Sequence, residues 1–449
     1  MTEILWLRRD LRRADHPALA AAAAAGPVLP VFVVDPRLWR SVGPARRAWV
    51  TANLRSLDEA YDGGLCLRVG DPAEVLPRLA RETGAERVHL TRETAPWGVR
   101  RDAAVAEALS AADVAGVPSG TPYAVDPGTV LTGSGTPYQV FSPWARAWQQ
   151  HGWPAPVAVP TDLRLAEAPS DDEARRLLDE ALAGDLPALA AAGEEAATER
   201  WRTFLDGALA ADDEARNVPA VDGTSRMSPY LRLGVVHPRT LLADLAGHSG
   251  AAVQRYRLEL GWREFYADVL HHHPHSAWAD LKPALAALEY DEPGPELAAW
   301  CEGRTGFPIV DAGMRQMLAE GWMHNRVRMI TASFLTKDLH VWWGHGARHF
   351  MLHLCDGDIA SNNHGWQWVA GTGTDASPYF RVFNPVTQGL KFDPDGDYVR
   401  RWVPELADLP GKAAHEPWKH GGAPGYPDRI VDHAQERAEA LRRYEAVRA

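Results

Sequence analysis

Residues 3–34 read EILWLRRDLRRADHPALAAAAAAGPVLPVFVV and decide the fold of the N-terminal region. Two short apolar runs, 3–7 and 28–34, flank an alanine-rich stretch, 17–25, that is long enough for a helix. A strand, a helix and a second strand in succession form a parallel pair joined by a crossover helix. The segment therefore predicts an α/β unit.

The same alternation continues through the first third of the chain. Further strands are predicted at Leu65–Val69 and Arg87–Leu90, with helices at Arg46–Ala60 and Pro72–Glu82. A parallel, doubly wound sheet of this kind often binds a ligand beyond the carboxyl ends of its strands. Neither a G-x-G-x-x-G nor a G-x-x-x-x-G-K-[ST] phosphate fingerprint occurs, so any nucleotide must be held elsewhere.

The rest of the chain has a different character. A connection rich in Pro, Ala and acidic residues runs to about residue 195, and the pattern from about residue 196 is helical without a convincing strand. We therefore predict three regions: an α/β domain at 1–130, a linker at 131–195 and an all-α domain at 196–449.

The composition bounds the possible functions. The 449 residues are 46% hydrophobic and 24% charged, as in soluble globular proteins. Cys66, Cys301 and Cys355 are scattered and favour neither a disulfide framework nor a zinc site. With no signal-peptide pattern and no apolar stretch of membrane-spanning length, we expect a cytoplasmic protein without a membrane partner.

The charge distribution leaves a nucleic-acid partner open. A net charge of −12 argues against DNA binding, which depends on Lys and Arg. However, all formal charges in 223–240 and in 321–337 are basic, namely Arg226, Arg232, Arg239, Arg326, Arg328 and Lys337. They indicate either local basic surfaces or scattered solvated side chains.

Three segments carry clustered polar residues, and two of them also carry a tryptophan. GTSRMSP at 223–229 precedes a short helix and suits either a phosphate cradle or an ordinary cap and turn. On a helix at 256–266, one face carries Glu259, Trp262 and Arg263, as either a functional cluster or an ion pair beside a core indole. After Gly321, a third helical face carries Trp322, Asn325 and Arg328, unless His324 and Asn325 only cap a packed helix. His324 has no second ligand at zinc spacing.

Two further segments combine polar and aromatic residues, and only the first is specific on its own. In DGDIASNNHGWQW at 356–368, Asp358, Asn362 and Trp366 recur every four residues and share a helical face. Burying these polar groups is costly unless a polar aromatic ligand partners them, whereas no further carboxylates converge to make a magnesium site. The loop at 372–389 carries Tyr379, Phe380, Arg381 and Gln388, which are residue types that contact extruded bases.

In this order the segments closely resemble the DNA photolyase and cryptochrome family, in particular its class I cyclobutane pyrimidine dimer photolyases. The resemblance extends from Trp6 to Trp418 and is most specific in GTSRMSP, WREFY, GFPIVDA, GWMHNRVRMI, DGDIASNNHGWQW and PYFRVFNPVTQG. It implies a carbon–carbon lyase that repairs pyrimidine dimers in UV-damaged DNA by electron transfer from photoexcited reduced FAD. A monomer is expected.

The resemblance also implies roles for individual residues. Thr224, Ser225, Met227, Ser228, Tyr256, Arg328, Asp356, Asp358 and Asn362 would bind FAD, with Asn362 near N5 and Arg328 paired with Asp356. Glu259, Trp262, Asn325, Met329, Asn362 and Trp368 would serve catalysis around the flipped dimer. DNA would be contacted by Arg216, Arg263, Asn325 and Gln388. No metal is implied.

Three departures from the family pattern bear on these roles. The electron-transfer chain would run through Trp366 and Trp343, but its third position is Tyr290 in place of tryptophan, so either Tyr290 or another Trp donates last. Asp212 and Tyr256 replace a tyrosine and a tryptophan on the adenosine side of FAD.

The α/β domain would bind a second, antenna chromophore. The segment at 93–102, with Ala95 in place of the carboxylate of folate-binding members, favours 8-hydroxy-5-deazaflavin over methenyltetrahydrofolate or no antenna. The alternatives to dimer repair are a cryptochrome-type photoreceptor, which usually carries a C-terminal extension, and a (6-4) photolyase, which would show His-His where this chain has His324-Asn325.

Overall fold

A computed structural model of the protein describes residues 1–209, 215–282, 285, 287–374 and 381–447. The chain forms two compact units. The sheet unit contains Met1–Leu205 and Arg226–Pro274, and the helical unit contains Asp206–Ser225 and His275–Ala449. The predicted boundaries at residues 130 and 195 separate regions by their expected roles, whereas the two units are defined by compactness. These boundaries therefore stay a prediction.

The sheet unit is built on five parallel strands. These are β1 (Glu3–Leu7), β2 (Val28–Val34), β3 (Cys66–Val69), β4 (Arg87–Leu90) and β5 (Ala115–Pro118), in the order β3-β2-β1-β4-β5. β1 is buried along its whole length, and its Leu5 lies opposite Pro30 on one side and His89 on the other. From β1 the chain adds β2 and β3 on one side of the sheet and then β4 and β5 on the other. Sheets of this kind bind ligands at the carboxyl ends of the two strands where the order switches, here β1 and β4.

The predicted alternation of strands and helices is confirmed. β1, β2, β4 and the helix Pro17–Ala25 have the predicted bounds. β3 starts one residue later than predicted. β5 was missed because it is a largely exposed edge strand with Gly and Pro in its four residues, which removes the apolar signal.

The remaining helices of the sheet unit surround this sheet or follow it in the chain. They are Pro36–Ser41, Pro44–Ala60, Pro72–Thr83, Pro96–Ser110, Phe141–His151, Asp172–Ala181, Glu194–Thr203, Ser228–Leu233, Pro238–Leu245 and Ala251–His272. Half of them begin with proline, which is favoured in a first turn because its missing N–H would have no helical partner.

The helical unit contains no sheet strand among its described residues, as predicted. Its helices are Pro295–Glu302, Pro308–Glu320, Asn325–Ser333, Trp343–His353, Ile359–Ala370, Pro385–Phe392, Asp397–Trp402 and His433–Ala446. A π-helical turn, Phe334–Asp338, extends the third of them. The core of the helical unit packs aliphatic side chains against six large rings, namely Trp300, Trp343, Trp366, Phe307, Phe334 and Phe350. No helix in the described part of the chain is long and apolar enough to cross a bilayer.

Candidate functional site

The helix Ile359–Ala370 carries the most concentrated polar series of the helical unit. Asp358 caps its N-terminus, accepting hydrogen bonds from the backbone N–H groups of Ala360 and Ser361 at 3.1 Å each. One turn on, the Asn362 amide donates to the Ala347 carbonyl at 3.1 Å and to Asn363 Oδ1 at 2.8 Å. The predicted helical face is therefore present, with Asp358 just before its first turn.

A partly buried ion pair precedes this series in the chain. Arg328 donates to both carboxylate oxygens of Asp356, at 3.1 and 2.8 Å, and its Nε donates to the Met323 carbonyl at 2.8 Å. The Asp356 side chain is 2% exposed and that of Arg328 is 23% exposed. The predicted pairing is confirmed. Because both ends of the guanidinium are fixed, the pair presents a rigid charged edge.

Trp366 completes the series and has an unsatisfied donor. Its indole is 3% exposed, and its Nε1 has no hydrogen-bond partner among the described residues. The ring lies so close to Gly346 that a Cβ added there would stand 2.2 Å from it. A buried N–H without an acceptor costs free energy unless a ligand satisfies it.

The indoles assigned to electron transfer occupy this same packed region. Trp366 contacts Trp300 and Phe350, with ring centroids 6.0 and 4.9 Å apart. Trp343 is fully buried and is the first residue of the helix Trp343–His353. Gly346, which the Trp366 ring approaches, lies one turn after Trp343 in that helix. The Tyr290 hydroxyl is buried without a hydrogen-bond partner in the described part of the chain.

A group of cations lies around the start of the helix Asn325–Ser333. Arg326 donates to Asn217 at 2.7 Å, and its guanidinium lies 4.4 Å from the Phe392 ring. Burial and the neighbouring charge of Arg216 lower its pKa. Lys391 lies 5.2 Å from the same ring. Cations clustered around an aromatic ring suit contact with a nucleic-acid strand.

The other predicted residues of the helical unit differ in exposure. Asn325 is exposed at the first helical position, while His324 caps the helix by accepting from the Arg326 N–H. Trp322 precedes the helix, so the predicted three-residue face is only partly helical. Met329, Trp368 and Gln388 are half-buried, as are Thr224 and Ser225. Asp212, Tyr379 and Phe380 lie outside the described residues.

In the sheet unit, the predicted face on Ala251–His272 is engaged internally. Trp262 stacks on Phe141 with ring centroids 3.7 Å apart. Arg263 donates to the carbonyls of Pro122 and Leu231 and lies 4.4 Å from the Tyr123 ring. Its side chain is 12% exposed. Its predicted DNA contact stays a prediction, because these partners would have to release it.

The remaining predicted cofactor residues of this unit flank short turns. Met227 is buried and accepts the Leu231 N–H, and exposed Ser228 opens the helix Ser228–Leu233. Tyr256 is buried against Trp201 and Phe204. Glu259 is half-buried one turn later.

Stacked cations and indoles lie at the carboxyl end of β1 and on the helix that follows β4. The guanidinium carbons of Arg8 and Arg101 lie 4.1 and 4.9 Å from the Trp6 ring, and Arg101 also approaches Trp97, which is 38% exposed. Asp102 pairs with both arginines. Alternating guanidinium and indole planes suit a flat anionic molecule.

The chain matches two family models. Residues 3–161 match the model described as DNA photolyase, and residues 256–446 match the FAD binding domain of DNA photolyase. A deoxyribodipyrimidine photo-lyase of Halobacterium salinarum is 40% identical over 99% of both chains. This chain belongs to the DNA photolyase and cryptochrome family.

Solved structures of the family share the whole fold. A class III photolyase from Agrobacterium tumefaciens has a TM-score of 0.91 at 37% identity, with 100% of this chain and 98% of that chain covered. A cryptochrome of Synechocystis has a TM-score of 0.90 at 26% identity, with 98% of each chain covered. The fold is thus common to photolyases and cryptochromes.

The residues of the helical unit fit the flavin of this family. The FAD binding domain covers the Arg328–Asp356 pair, the capping carboxylate of Asp358, the Asn362 amide and the buried Trp366 N–H. These groups lie on the helix Ile359–Ala370, just before it, and on the helix Asn325–Ser333, and they supply charge, acceptors and an unsatisfied donor, as a flat polar heteroaromatic ring requires.

Sequence reasoning misplaced some basic residues and missed others. Lys337 is 2% exposed and donates to the Ala370 carbonyl at a helix end, and Arg239 is buried against Asp15, so neither forms a basic surface. Lys391, Phe392 and Asn217 were missed, although they follow closely on the predicted residues Gln388 and Arg216. Only tertiary packing brings them to Arg326.

Proposed function

We propose that this chain is a light-driven deoxyribodipyrimidine photo-lyase that repairs cyclobutane pyrimidine dimers in DNA. The observation that carries the proposal is the series from Asp356 to Trp366 with its Arg328 ion pair, in a chain whose relatives bear that enzyme's name. When bound and reduced, FAD supplies the light-excited electron that opens the dimer.

The chain's own residues hold and shield the reacting groups in this proposal. Asp356, Asp358, Asn362 and Arg328 would hold the cofactor, and the ion pair keeps a charge fixed without reorganisation during the reaction. Thr224, Ser225, Met227, Ser228 and Tyr256 would serve its phosphate and adenosine side. Trp366, with its helix packed against Trp343–His353, excludes water from that side.

DNA contact is proposed for cations and amides of the helical unit. Arg216, Asn325 and Gln388 are joined by Arg326 and Lys391, which flank Phe392. Phosphate contacts of this kind make affinity fall steeply with salt, although the chain carries a net charge of −12. The proposal also keeps the dimer-contact roles of Glu259, Trp262, Met329 and Trp368.

One experiment separates repair from its alternatives. The purified protein, with its flavin chemically reduced, is illuminated with an oligonucleotide carrying a cyclobutane thymine dimer, and the recovery of thymine absorbance is followed. Recovery in light and none in darkness is expected. No recovery with FAD bound would favour the photoreceptor, and recovery only on a (6-4) photoproduct would assign the other repair class.

Glu259 offers a sharper test of the site. Glu259→Ala is expected to lower the quantum yield of repair roughly tenfold or more, since general acid and hydrogen-bonding groups contribute on that scale or above. Glu259→Gln, which keeps a donor, is the matched control and should lose less. Loss of flavin from Glu259→Ala would contradict the role given to the side chain.

Class I and class III photolyases share this fold, so the fold does not separate the two classes. We therefore assign the chain to class I on its motifs. Placing the chain in a tree of both classes tests this assignment, and grouping with class III would overturn it.

For the antenna we propose 8-hydroxy-5-deazaflavin, with methenyltetrahydrofolate or no antenna as the alternatives. The stacked Arg8, Trp6 and Arg101 support a flat anionic chromophore in the sheet unit. Titration of the purified protein with each chromophore, followed by absorbance, tests the choice. Tighter binding of the folate would overturn it.

A further inference from the structure

The fully buried indole of Trp343 is hydrogen-bonded to a carboxylate. Its Nε1 donates to Asp280 Oδ1 at 2.6 Å. Trp343 is 0% exposed, and Asp280 is half-buried on the segment after His275. Burial raises the pKa of Asp280, and the hydrogen bond from Trp343 partly offsets this. The carboxylate is therefore a better proton acceptor than an exposed aspartate.

We propose that Asp280 is the proton acceptor for Trp343, so that light-driven oxidation of the chain ends at Trp343 as a neutral indolyl radical. The inference rests on the proposed function, because it concerns how the flavin is photoreduced. The electron leaves Trp343 by way of Trp366 for the light-excited oxidised flavin. The Trp343 N–H bond breaks, and an O–H bond forms on Asp280. A thiol in solution later returns one electron, and the proton goes back to the indole.

Proton transfer from an oxidised indole is expected on physical grounds. Loss of an electron makes the indole N–H strongly acidic, and the acceptor oxygen is already within hydrogen-bond distance. Once the proton has moved, the electron cannot return unless the proton returns with it. The hydrogen bond therefore holds the oxidised state at Trp343.

Tyr290 is poorly placed to take over the oxidation. A phenol gives up its proton when it is oxidised, but the buried Tyr290 hydroxyl has no hydrogen-bond partner among the described residues. Burial and the charge of Asp280 both raise its pKa. The backbone of Asp291, the next residue, pairs with the stretch just before Trp343, so the two side chains belong to one region.

Trp342, the other adjacent indole, is disfavoured by a cation. Its ring centroid is 5.3 Å from that of Trp343, so it is close enough to donate. However, the Arg348 guanidinium lies 5.4 Å from Trp342 and 5.2 Å from Trp278, which is 40% exposed. A fixed positive charge opposes the formation of a second one on either ring. The negative charge of Asp280 has the opposite effect on Trp343.

The first test uses the spectrum of the radical. After a light pulse on the oxidised holoprotein, transient absorption and electron paramagnetic resonance should show a neutral indolyl radical, formed more slowly in heavy water. In Asp280→Asn we expect an indole cation in its place, with its decay by proton loss slowed tenfold or more. Asp291→Asn, which removes a nearby exposed carboxylate, is the matched control and should behave like the native protein.

Substitution of the three rings locates the radical. Trp343→Phe should abolish the long-lived indolyl signal, whereas Trp342→Phe and Tyr290→Phe should keep it. A phenoxyl spectrum, or loss of the signal in Tyr290→Phe or Trp342→Phe, would overturn the proposal. So would an unchanged radical and isotope effect in Asp280→Asn.

A measurement without light or flavin turnover checks the contact itself. In protein labelled with ¹⁵N-tryptophan, the indole N–H resonance assigned through Trp343→Phe should move upfield in Asp280→Asn. No movement would overturn the proposal. Failure of the native, chemically reduced enzyme to repair dimers is a separate result, since it bears on the proposed function and not on Asp280.

Discussion

Two regions rich in aromatic rings differ in what surrounds their tryptophans. In the sheet unit, the packing stack consists of Phe141, Trp144, Trp148, Trp153, Trp262 and Phe265. In the helical unit, the graded series consists of Trp366, Trp300, Trp343, Trp342 and Trp278. Both bring indoles into contact, with centroids 5.8 Å apart for Trp144 and Trp148 and 5.3 Å for Trp342 and Trp343.

The difference lies in exposure and in the cation beside the outer rings, since each region has one indole that donates to a carboxylate. Trp144 and Trp148 of the packing stack are buried, and Trp148 donates to Glu264 at 3.3 Å. The graded series runs from buried Trp366 to Trp278, which is 40% exposed, with Asp280 and Arg348 beside successive rings. Tryptophan content alone therefore does not identify an electron path. The charges beside the individual rings distinguish the two regions.

The largest expected effect is on the stability of the packing stack. Trp144→Ala removes a buried ring from contacts with Phe141, Trp148 and Phe265, and we expect a loss of about 3–5 kcal/mol in the free energy of unfolding. Trp278→Ala, the exposed control in the graded series, should change it by no more than about 0.5 kcal/mol. Denaturant unfolding followed by far-ultraviolet circular dichroism measures both. Equal losses would erase the distinction between the regions.

The next effect is a pH dependence carried by Glu264. Burial raises its pKa to about 7, although Trp148 and the N–H groups of Ala124 and Val125 donate to it. Between the ordinary pKa of 4.5 and about 7, the folded protein holds a proton that the unfolded chain has lost. The stability from this group is therefore complete below pH 4.5 and is lost as the pH rises to 7.

Glu264→Gln isolates this contribution. The native protein should lose up to about 3 kcal/mol more than the variant between pH 4.5 and 7, since each pKa unit corresponds to about 1.4 kcal/mol. Unfolding free energies at a series of pH values measure the difference. Glu107→Gln, an exposed substitution in the same unit, should run parallel to the native protein. A Glu264→Gln curve parallel to the native one would contradict the shift.

The fold was accessible from the sequence because its signals are local. β1 and β2 are short, mostly apolar runs, and β4 is a short run that follows a helix-length segment, so each is recognised from its own residues and spacing. β5 lacks that signal because it is an exposed edge. The helix Ile359–Ala370 could be predicted because Asp358, Asn362 and Trp366 keep one helical spacing.

The surroundings of the site were less accessible because they depend on long-range packing. No pattern near Asp280 indicates that its carboxylate meets the indole of Trp343, 63 residues away. Burial of Lys337 against a helix end likewise appears only when the helices are assembled. Residue types and spacings identify a polar helical face, but the partners of each charge require the structure.

The smallest of the three effects tests the graded series itself. Trp343→Phe keeps most of the buried ring but leaves the Asp280 carboxylate without its indole donor, so we expect a loss of about 2 kcal/mol in the free energy of unfolding. Asp280→Ala removes the carboxylate that would be left without a donor. In that background, Trp343→Phe should lower the free energy of unfolding by clearly less. This double-mutant cycle separates the hydrogen bond from packing. Additive losses would mean that the ring alone stabilises the region, as in the packing stack, and that Asp280 contributes nothing through Trp343.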